Sequence, residues 1–410
     1  MKRLFIQSRK TNKFKRRRAD KLKCLFAVIL VLFAVCIVPQ SYANAATDSA
    51  DSSENYEDVI DNLIDSLDFG GAEELYSAFA DEIVNPTSFK NEVLNLIRGS
   101  ESRNFGDVLS CLGVLLSGNM KEIMPSMLIV LVIAIISGVF SSFDLNTKGV
   151  KDAVFLACYA VGSSIVFSET AKLAARSLSF ISDICGVMQS VYPLFATVSC
   201  LCGENNKVKI LTPICAFITQ GVNISAERIL IPAVLGVCAL SSVASLSERS
   251  SVALTRDSII DVFKWVIGIA VSLLSVFTAV SGVGGVVRDG ISLKTLKYAV
   301  GNTVPIIGGF AKEGVEVVVS AAQVIKSGVG AVFLSVLAVV FASMLIRLLC
   351  YSLMLSVLNA LCSSFAERRY CDMIVGYKKT VSLIVVVFVA VTILFFTTCY
   401  TLLFLQVVGM

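Results

Sequence analysis

Charged side chains that interrupt long apolar segments are the residues of this sequence whose type and spacing could do chemistry. Asp261 and Lys264 stand three positions apart near the start of an apolar segment, so on a helix they share a face and can pair. Charges inside a membrane are costly and often mark ion or proton pathways. Lys264 could equally anchor the helix at the membrane surface together with the neighbouring Trp265. An ion pathway needs several acids at mid-depth, whereas most charges here lie near the ends of apolar segments.

Other kinds of chemistry are excluded by what the sequence lacks. It contains no histidine, which removes the commonest general base and the commonest metal ligand. None of its 13 cysteines forms a CxxC pair, and most of them lie in apolar segments. We therefore predict no catalytic, metal-binding or cofactor-binding residues, and we expect that the protein is not an enzyme.

The elements that must position these charges are membrane helices. The chain of 410 residues is 56% hydrophobic and 16% charged, and Val381 to Met410 contains no charged side chain. About twenty apolar residues carry a helix across a bilayer core of roughly 30 Å, where unpaired backbone groups are strongly disfavoured. The predicted fold class is all-α, a polytopic helical membrane protein with an N-terminal signal peptide and an exported amphipathic-helical segment.

The N-terminal region has the order of a signal peptide. Eleven basic residues in the first 23 positions precede the apolar stretch Cys24 to Val38 and the small-residue site Ala43-Asn44-Ala45. We predict a signal peptide over residues 1–45, cleaved after Ala45; the alternative is an uncleaved anchor. Either alternative places the following segment, residues 46–122, outside the cytoplasm.

This exported segment is acidic and amphipathic. Residues 46–108 carry a net charge of −12, and apolar side chains recur at helical spacing. The stripes comprise Val59, Ile60, Leu63, Ile64 and Leu67, then Leu75, Tyr76, Phe79 and Ile83, then Phe89, Val93, Leu94 and Ile97. A fourth helix is predicted over Phe105 to Met120. Because so few residues make a marginal core, we expect these helices to lie on the bilayer surface, on the membrane domain or on a partner.

The remaining chain is predicted to cross the membrane eight times. A membrane domain of about six spans occupies residues 123–281, and C-terminal spans occupy 331–410. The predicted spans are 124–143, 153–168, 182–202, 210–225, 229–246, 259–281, 331–350 and 381–407. Basic residues in alternate loops, Lys148 and Lys151, Lys207 and Lys209, Arg249 and Arg256, and Arg368 to Lys379, would all be cytoplasmic. Gly330 to Phe365 is either one long tilted helix or a tight hairpin.

The segment 282–330 is glycine-rich and carries alternating charges. It reads either as a long exported loop or as short re-entrant helices around Gly301 to Phe310, which membranes tolerate only where protein or water surrounds them. Glycines on both sides of a proline would let neighbouring backbones approach closely. The assembly or packing candidates are Arg288, Asp289, Gly301, Asn302, Pro305, Gly308 and Gly309.

The order of these features resembles the stage III sporulation protein AE family of endospore-forming bacteria. The most specific part runs from Arg288 to Gly330, with the DG pair, the GN-x-VP-x-x-G run at Gly301 to Gly308 and the K-x-x-VG ending at Lys326 to Gly330. The long basic N-terminus departs from the family.

The resemblance implies a multi-pass subunit of the channel-like, secretion-type complex in the mother-cell membrane around the forespore. Its implied partners are other sporulation membrane proteins, ring-forming subunits and a cytosolic ATPase, with no nucleic acid and no established catalytic residues. The alternative is a stand-alone secondary transporter or permease for a small solute, with Arg288 and Asp289 at its site. Such carriers are often built from an inverted repeat, and the glycine-rich segment has no counterpart earlier in the chain.

Overall fold

A computed structural model describes residues 54–79, 88–98, 105–142, 148–246, 250–303 and 308–404 of the chain. The predicted signal peptide lies outside these residues. Their regular elements are helical: α1 (Glu54–Asp65), α2 (Gly70–Ala78), α3 (Phe89–Ile97), α4 (Phe105–Ser142), α5 (Lys148–Leu201), α6 (Asn205–Ser225), α7 (Ile231–Leu246), α8 (Ser250–Thr303), α9 (Gly308–Phe365) and α10 (Arg368–Leu403). One π-helical turn, Ala226–Leu230, joins α6 to α7 without a break.

Six of these helical segments are long and apolar enough to cross a membrane: Ser117–Phe140, Gly149–Leu201, Asn205–Leu246, Ser251–Gly285, Val318–Phe365 and Arg368–Leu403. Helices are expected in a bilayer, because a helix pairs its internal backbone N–H and C=O groups within one segment and leaves none exposed to lipid. The predicted all-helical, multi-pass class is therefore confirmed for the part of the chain described.

The structure corrects the number of crossings. The predicted spans 153–168 and 182–202 belong to the single helix α5, and 210–225 and 229–246 form one continuous helix through the π-helical turn. A continuous helix cannot cross and return. The sequence interpretation left residues 169–181 and 226–228 between spans, yet both stretches are helical: the first lies inside α5, and the second, which contains Glu227, lies in the π-helical turn.

Two alternatives from the sequence are resolved. Gly330 to Phe365 lies within α9 and is one long helix, so the hairpin is wrong. The glycine-rich segment is helical up to Thr303 and again from Gly308, which contradicts a long loop. With 54 residues in α5 and in α8 and 58 in α9, these helices are about 80 Å long or more, well beyond the thickness of a bilayer.

The core of the bundle lies between α5, α9 and α10. Phe180, Phe341 and Phe388 bring their ring centroids within 5.5–5.8 Å of one another. Further along the same helices Phe195 meets Phe333 edge-on at 4.9 Å. These rings are buried, and α10 also packs against α8 and α7.

The three helices that the sequence predicted to be exported pack on the membrane helices, which was one of the three locations expected from the sequence. α2 lies on α5, while α1 and α3 lie on α9. The predicted stripes supply the contact, since Ile64, Leu75, Phe89 and Val93 are at most 1% exposed. The predicted fourth helix is the first part of the much longer α4. We call α1 to α3 the cap.

Candidate functional site

A cluster of three buried charged side chains lies where the α5–α6 turn meets α9. Glu204 Oε2 accepts hydrogen bonds from Lys207 Nζ at 3.0 Å and from Lys326 Nζ at 2.6 Å. Both lysine side chains are fully buried, and the glutamate side chain is 9% exposed. We call these residues the lysine–glutamate cluster.

The tight turn between α5 and α6 places Glu204 in this cluster. Gly203 adopts φ 80°, a left-handed conformation that side chains rarely tolerate, and lets the chain reverse between Leu201 and Asn205. Glu204 then precedes the first turn of α6, and Lys207 follows one turn later. Burial raises the pKa of the neighbouring Cys202 thiol to about 12, so this cysteine stays a neutral thiol beside the cluster.

Two ammonium groups share one carboxylate, which makes each contact hard to replace. Removing water from a charge costs several kcal/mol, and only close pairing with good hydrogen bonds offsets that cost. Since Lys326 comes from α9 and Glu204 from the α5–α6 turn, the ion pair joins elements that are 122 residues apart in sequence. The cluster therefore holds α9 against the α5–α6 turn.

The helical turn of α9 from Lys326 to Gly330 contacts three other elements. Lys326 reaches Glu204, Gly328 faces the side chain of Ile97 in α3, and Gly330 faces Phe404 at the end of α10. A Cβ atom built on Gly328 or Gly330 would lie 2.9 Å from these side chains. The K-x-x-VG ending therefore encodes close packing on one turn of helix.

Helix α8 approaches the same place through Gly285. A Cβ atom on Gly285 would lie 2.6 Å from Lys207 Cα, so the two helix backbones are nearly in contact. Beyond this point α8 continues for 18 residues (286–303), and α9 begins 18 residues before Lys326 (308–325). We call these two stretches the distal helix pair, and the cluster with Gly285 fixes its base.

The structure brings most of the predicted packing candidates to this distal helix pair. Arg288, Asp289, Gly301 and Asn302 lie in α8, and Gly308 and Gly309 are the first residues of α9. Pro305 falls outside the described residues. Their role in assembly stays a prediction.

The predicted partners Asp261 and Lys264 lie on α8, far along the helix from the lysine–glutamate cluster. Lys264 Nζ is 3.2 Å from Ser382 Oγ of α10, and Asp261 is exposed. Trp265 is 71% exposed. Pairing of Asp261 with Lys264 stays a prediction, while the structure adds a link from Lys264 to α10.

A second charge cluster, which the sequence did not indicate, lies one to two turns before Asp261. Asp257 Oδ1 accepts two hydrogen bonds from Arg256, and Oδ2 lies 2.5 Å from Lys379 Nζ. Arg256, which was assigned to a loop from the sequence, is only 5% exposed and packs on Gly376 of α10. We call this the aspartate cluster.

The cap is fixed to the bundle by a close backbone approach. A Cβ atom on Gly71 would lie 2.1 Å from the Ser190 carbonyl oxygen of α5. Within the cap Lys90 pairs with Asp65 at 2.8 Å and Arg98 pairs with Asp61 at 3.1 Å. The side chains of Asp61 and Asp65 remain 50% and 73% exposed, and the described residues of the cap, 54–79 and 88–98, contain nine acids and two bases, so the cap is acidic.

The geometry of both clusters suits holding helices together. Among the described residues no three Cys, Asp or Glu side chains are grouped as a metal site would require. The described cysteines are free thiols and seven of the ten are buried, in keeping with their apolar sequence surroundings.

Comparison with known proteins identifies relatives over most of the chain. The family model of stage III sporulation protein AE matches residues 87–404. Stage III sporulation protein AE from Bacillus subtilis (strain 168) is 20% identical over 331 residues, which cover 79% of this chain and 82% of that protein. No solved structure matches the chain significantly.

Proposed function

The chain belongs to the stage III sporulation protein AE family, and from that premise we propose that it is a structural or permease-like subunit of a channel-like, secretion-type complex required for endospore formation. We place it in the mother-cell membrane that surrounds the forespore, as a multi-pass component. Its contribution is to present rigid docking surfaces to other subunits, and we expect no catalytic step.

The observation that carries this proposal is that α1 to α3, which we expect to be exported, pack directly on the helices of the membrane bundle. Gly71 packs on the backbone of Ser190, and the apolar stripes of α1 to α3 are buried against α5 and α9. Asp61 and Asp65 are exposed on the cap, whose described residues carry a net charge of −7. A cap that is fixed in this way can transmit a partner's position to the membrane helices.

The distal helix pair is the second surface that we assign to assembly. Its base is held by the lysine–glutamate cluster and by the contact of Gly285 with Lys207. It carries the part of the sequence that most specifically resembles the family. Ring-forming subunits are the partners we expect at the cap and the distal helix pair, and a cytosolic ATPase is expected at the opposite end of the bundle.

A charge experiment tests the cap. Asp61, Asp65 and Asp68 are replaced by Asn, and the proteins that co-purify from sporulating cells are quantified. Contacts between an acidic face and a basic partner are electrostatic, so we expect recovery of partners and spore yield to fall about tenfold, and wild-type recovery to fall with added salt. Protein yield should be unchanged, because exposed ion pairs contribute at most about 1 kcal/mol.

The matched control neutralises three exposed acids on the membrane helices, Asp152, Asp183 and Glu227. We expect this variant to keep both partner recovery and spore yield. Normal sporulation by the cap variant, together with loss of a defined solute flux on changing Asp261, would instead support a solute carrier.

The distal helix pair is tested by Gly308→Leu. A large side chain at the first residue of α9 should prevent close approach of a partner. We expect normal insertion in the membrane and loss of complex assembly, measured by co-purification of the other subunits. Full assembly by this variant would remove the distal helix pair from the docking surfaces.

A further inference from the structure

Two exposed apolar faces lie on different sides of the helix bundle. The first, on α4, runs from Met124 to Phe140 and includes Val132, which is 54% exposed. The second, on α8, runs from Trp265 to Val283 and includes Leu273, which is 66% exposed. Neither stretch contains a charged residue, and each is about 24–27 Å long, close to the thickness of a bilayer core. Since α4 packs on α5 and α9, whereas α8 packs chiefly on α10, α6 and α7, we call them the α4 face and the α8 face of opposite sides.

The lysine–glutamate cluster provides a reference point from which positions along the bundle can be compared. Lys326 of α9 lies in this cluster, and Arg347 lies 21 residues further along the same helix, which corresponds to about 32 Å. Gly285 of α8 contacts Lys207 of the cluster, and Lys264 lies 21 residues before Gly285, again about 32 Å away. Arg347 and Lys264 are therefore equally far from the cluster.

Both distances are measured toward the same end of the bundle, as α10 shows. Lys264 Nζ lies 3.2 Å from Ser382 Oγ of α10. Six residues further along α10 the ring of Phe388 packs on Phe341, which lies six residues nearer to the cluster than Arg347. Lys264, Ser382 and Arg347 therefore share one level, which we call the middle level. It divides the bundle into a cluster half, next to the lysine–glutamate cluster, and a far half.

The α4 face lies in the far half. Glu122, directly before this face, is at the middle level, because its carboxylate accepts a hydrogen bond from Arg176 at 2.6 Å and lies 3.7 Å from Arg347. From Glu122 the helix runs away from the cluster: a Cβ atom on Gly138 would lie 1.9 Å from the carbonyl oxygen of Phe365, at the far end of α9.

The α8 face lies in the cluster half, because it begins next to Lys264 and runs toward Gly285. The two faces thus extend from the middle level in opposite directions. Their midpoints, Val132 and Leu273, are about 28 Å apart along the bundle axis. A bilayer core of roughly 30 Å around an upright bundle would cover one face and leave the other in water.

In each half, charged side chains lie on the side opposite the apolar face. In the cluster half the cap packs on α5 and α9, where Asp65 is 73% exposed and the ring of Phe79 lies 5.2 Å from that of Phe180, close to the middle level. In the far half α8 and α10 carry the aspartate cluster, where Lys379 is 42% exposed, and the exposed Asp261. An upright bundle would bring one of these charged sides into hydrocarbon, which is costly.

We propose that the bundle crosses the membrane obliquely, so that one bilayer covers the α4 face on one side and the α8 face on the other. Three helix spacings of about 8–10 Å separate α4 from α8 through α9 and α10. Over that width a tilt of roughly 40°, at the upper end of the range for membrane helices, brings both midpoints within a few Å of the bilayer centre. The cap and the aspartate cluster then lie in water on opposite sides of the membrane.

The depth of single tryptophans in the bilayer tests this orientation. Trp265 is the only tryptophan of the chain, so Trp265→Phe gives a background without tryptophan. Val132→Trp, Leu273→Trp and Thr255→Trp are made in it one at a time, at exposed positions where no packed side chain is displaced. Each full-length variant is reconstituted in phosphatidylcholine vesicles with bromine atoms either near the headgroup or near the end of the acyl chains, and quenching of fluorescence is measured.

We expect deep bromine atoms to quench Val132→Trp and Leu273→Trp about twofold more strongly than shallow ones, because both positions lie near the bilayer centre. Thr255→Trp is the matched control. Thr255 lies nine residues before Lys264, at the level of Val132 but on the α8 side of the bundle. In an oblique bundle this position is in water, so bromine at either depth should quench Thr255→Trp weakly.

Absence of deep quenching in either Val132→Trp or Leu273→Trp would overturn the proposal, because one face would then be covered by water or by protein. Strong deep quenching of Thr255→Trp would also overturn it and would indicate an upright bundle with its far half in the bilayer. Leu128→Trp and Val276→Trp repeat the comparison about one helical turn away, so that the test does not depend on the folding of a single variant.

Discussion

In two regions of the molecule one carboxylate binds two basic side chains from different parts of the chain. Glu204 binds Lys207 and Lys326, which are completely buried, whereas Asp257 binds Arg256 and Lys379 with 36% of its own side chain exposed and 42% of the Lys379 side chain exposed. Each cluster has two basic side chains for one carboxylate, but the side chains of the lysine–glutamate cluster are more deeply buried. Water reaches Asp257 and Lys379, although the Arg256 side chain is only 6% exposed, whereas it cannot easily reach Lys207 or Lys326. We therefore expect the lysine–glutamate cluster to tolerate loss of its carboxylate less well than the aspartate cluster does.

The largest expected effect comes from Glu204→Gln, which leaves two buried ammonium groups without their shared anion. Breaking a buried pair in this way costs about 3–5 kcal/mol. We expect a large fall in the free energy of unfolding, or in the yield of folded protein, measured in detergent.

Lys326→Met is the control for that prediction, because it leaves a balanced pair of Glu204 and Lys207. It should destabilise the protein clearly less than Glu204→Gln does. Equal stability of wild type and Glu204→Gln would show that the carboxylate is not needed to compensate the lysines.

The next effect concerns the close backbone contact beside the lysine–glutamate cluster. Gly285→Ala introduces a Cβ atom 2.6 Å from Lys207 Cα, whereas a Cβ on the adjacent Gly284 has no neighbour within 4 Å. We expect Gly285→Ala to destabilise by about 1–3 kcal/mol. Gly284→Ala should be neutral or stabilising by up to about 1 kcal/mol, because alanine favours helix. Similar denaturation midpoints for the two variants would contradict the contact.

Asp257→Asn is expected to have the smallest effect of the three. It weakens the hydrogen bonds to Arg256 and Lys379, but the asparagine carbonyl oxygen can still accept a bond from the nearly buried Arg256 and water can reach the Lys379 side chain, which is 42% exposed. We therefore expect a loss of about 1–2 kcal/mol. Thermal denaturation in detergent should therefore show a modest shift. A loss of stability as large as that caused by Glu204→Gln would show that the two clusters do not differ in their tolerance of a missing carboxylate.

The helical fold could be predicted from the sequence because long apolar segments and amphipathic stripes are local signals. The buried residues Ile64, Leu75, Phe89 and Val93 all belong to the stripes seen in the sequence. The number of membrane helices could not be predicted, because Glu169, Lys172 and Glu227 have the composition of loop residues while lying on continuous helices.

The lysine–glutamate cluster could not be predicted for a different reason. Lys207 was assigned to a cytoplasmic loop, yet its side chain is fully buried, and Glu204 meets Lys326 across 122 residues of sequence. No periodicity marks such a contact. The only local signal was Lys326 itself, a charge at the start of a long apolar segment and part of the K-x-x-VG ending.

Hydrogen exchange of the backbone amides tests most directly whether the lysine–glutamate cluster locks the base of the distal helix pair. In Glu204→Gln we expect faster exchange in the α5–α6 turn (202–208) and in the contacting part of α9 (318–330), whereas Asp257→Asn should leave both segments as protected as in the wild type. Unchanged protection of both segments in Glu204→Gln, or an equal loss in Asp257→Asn, would contradict the account.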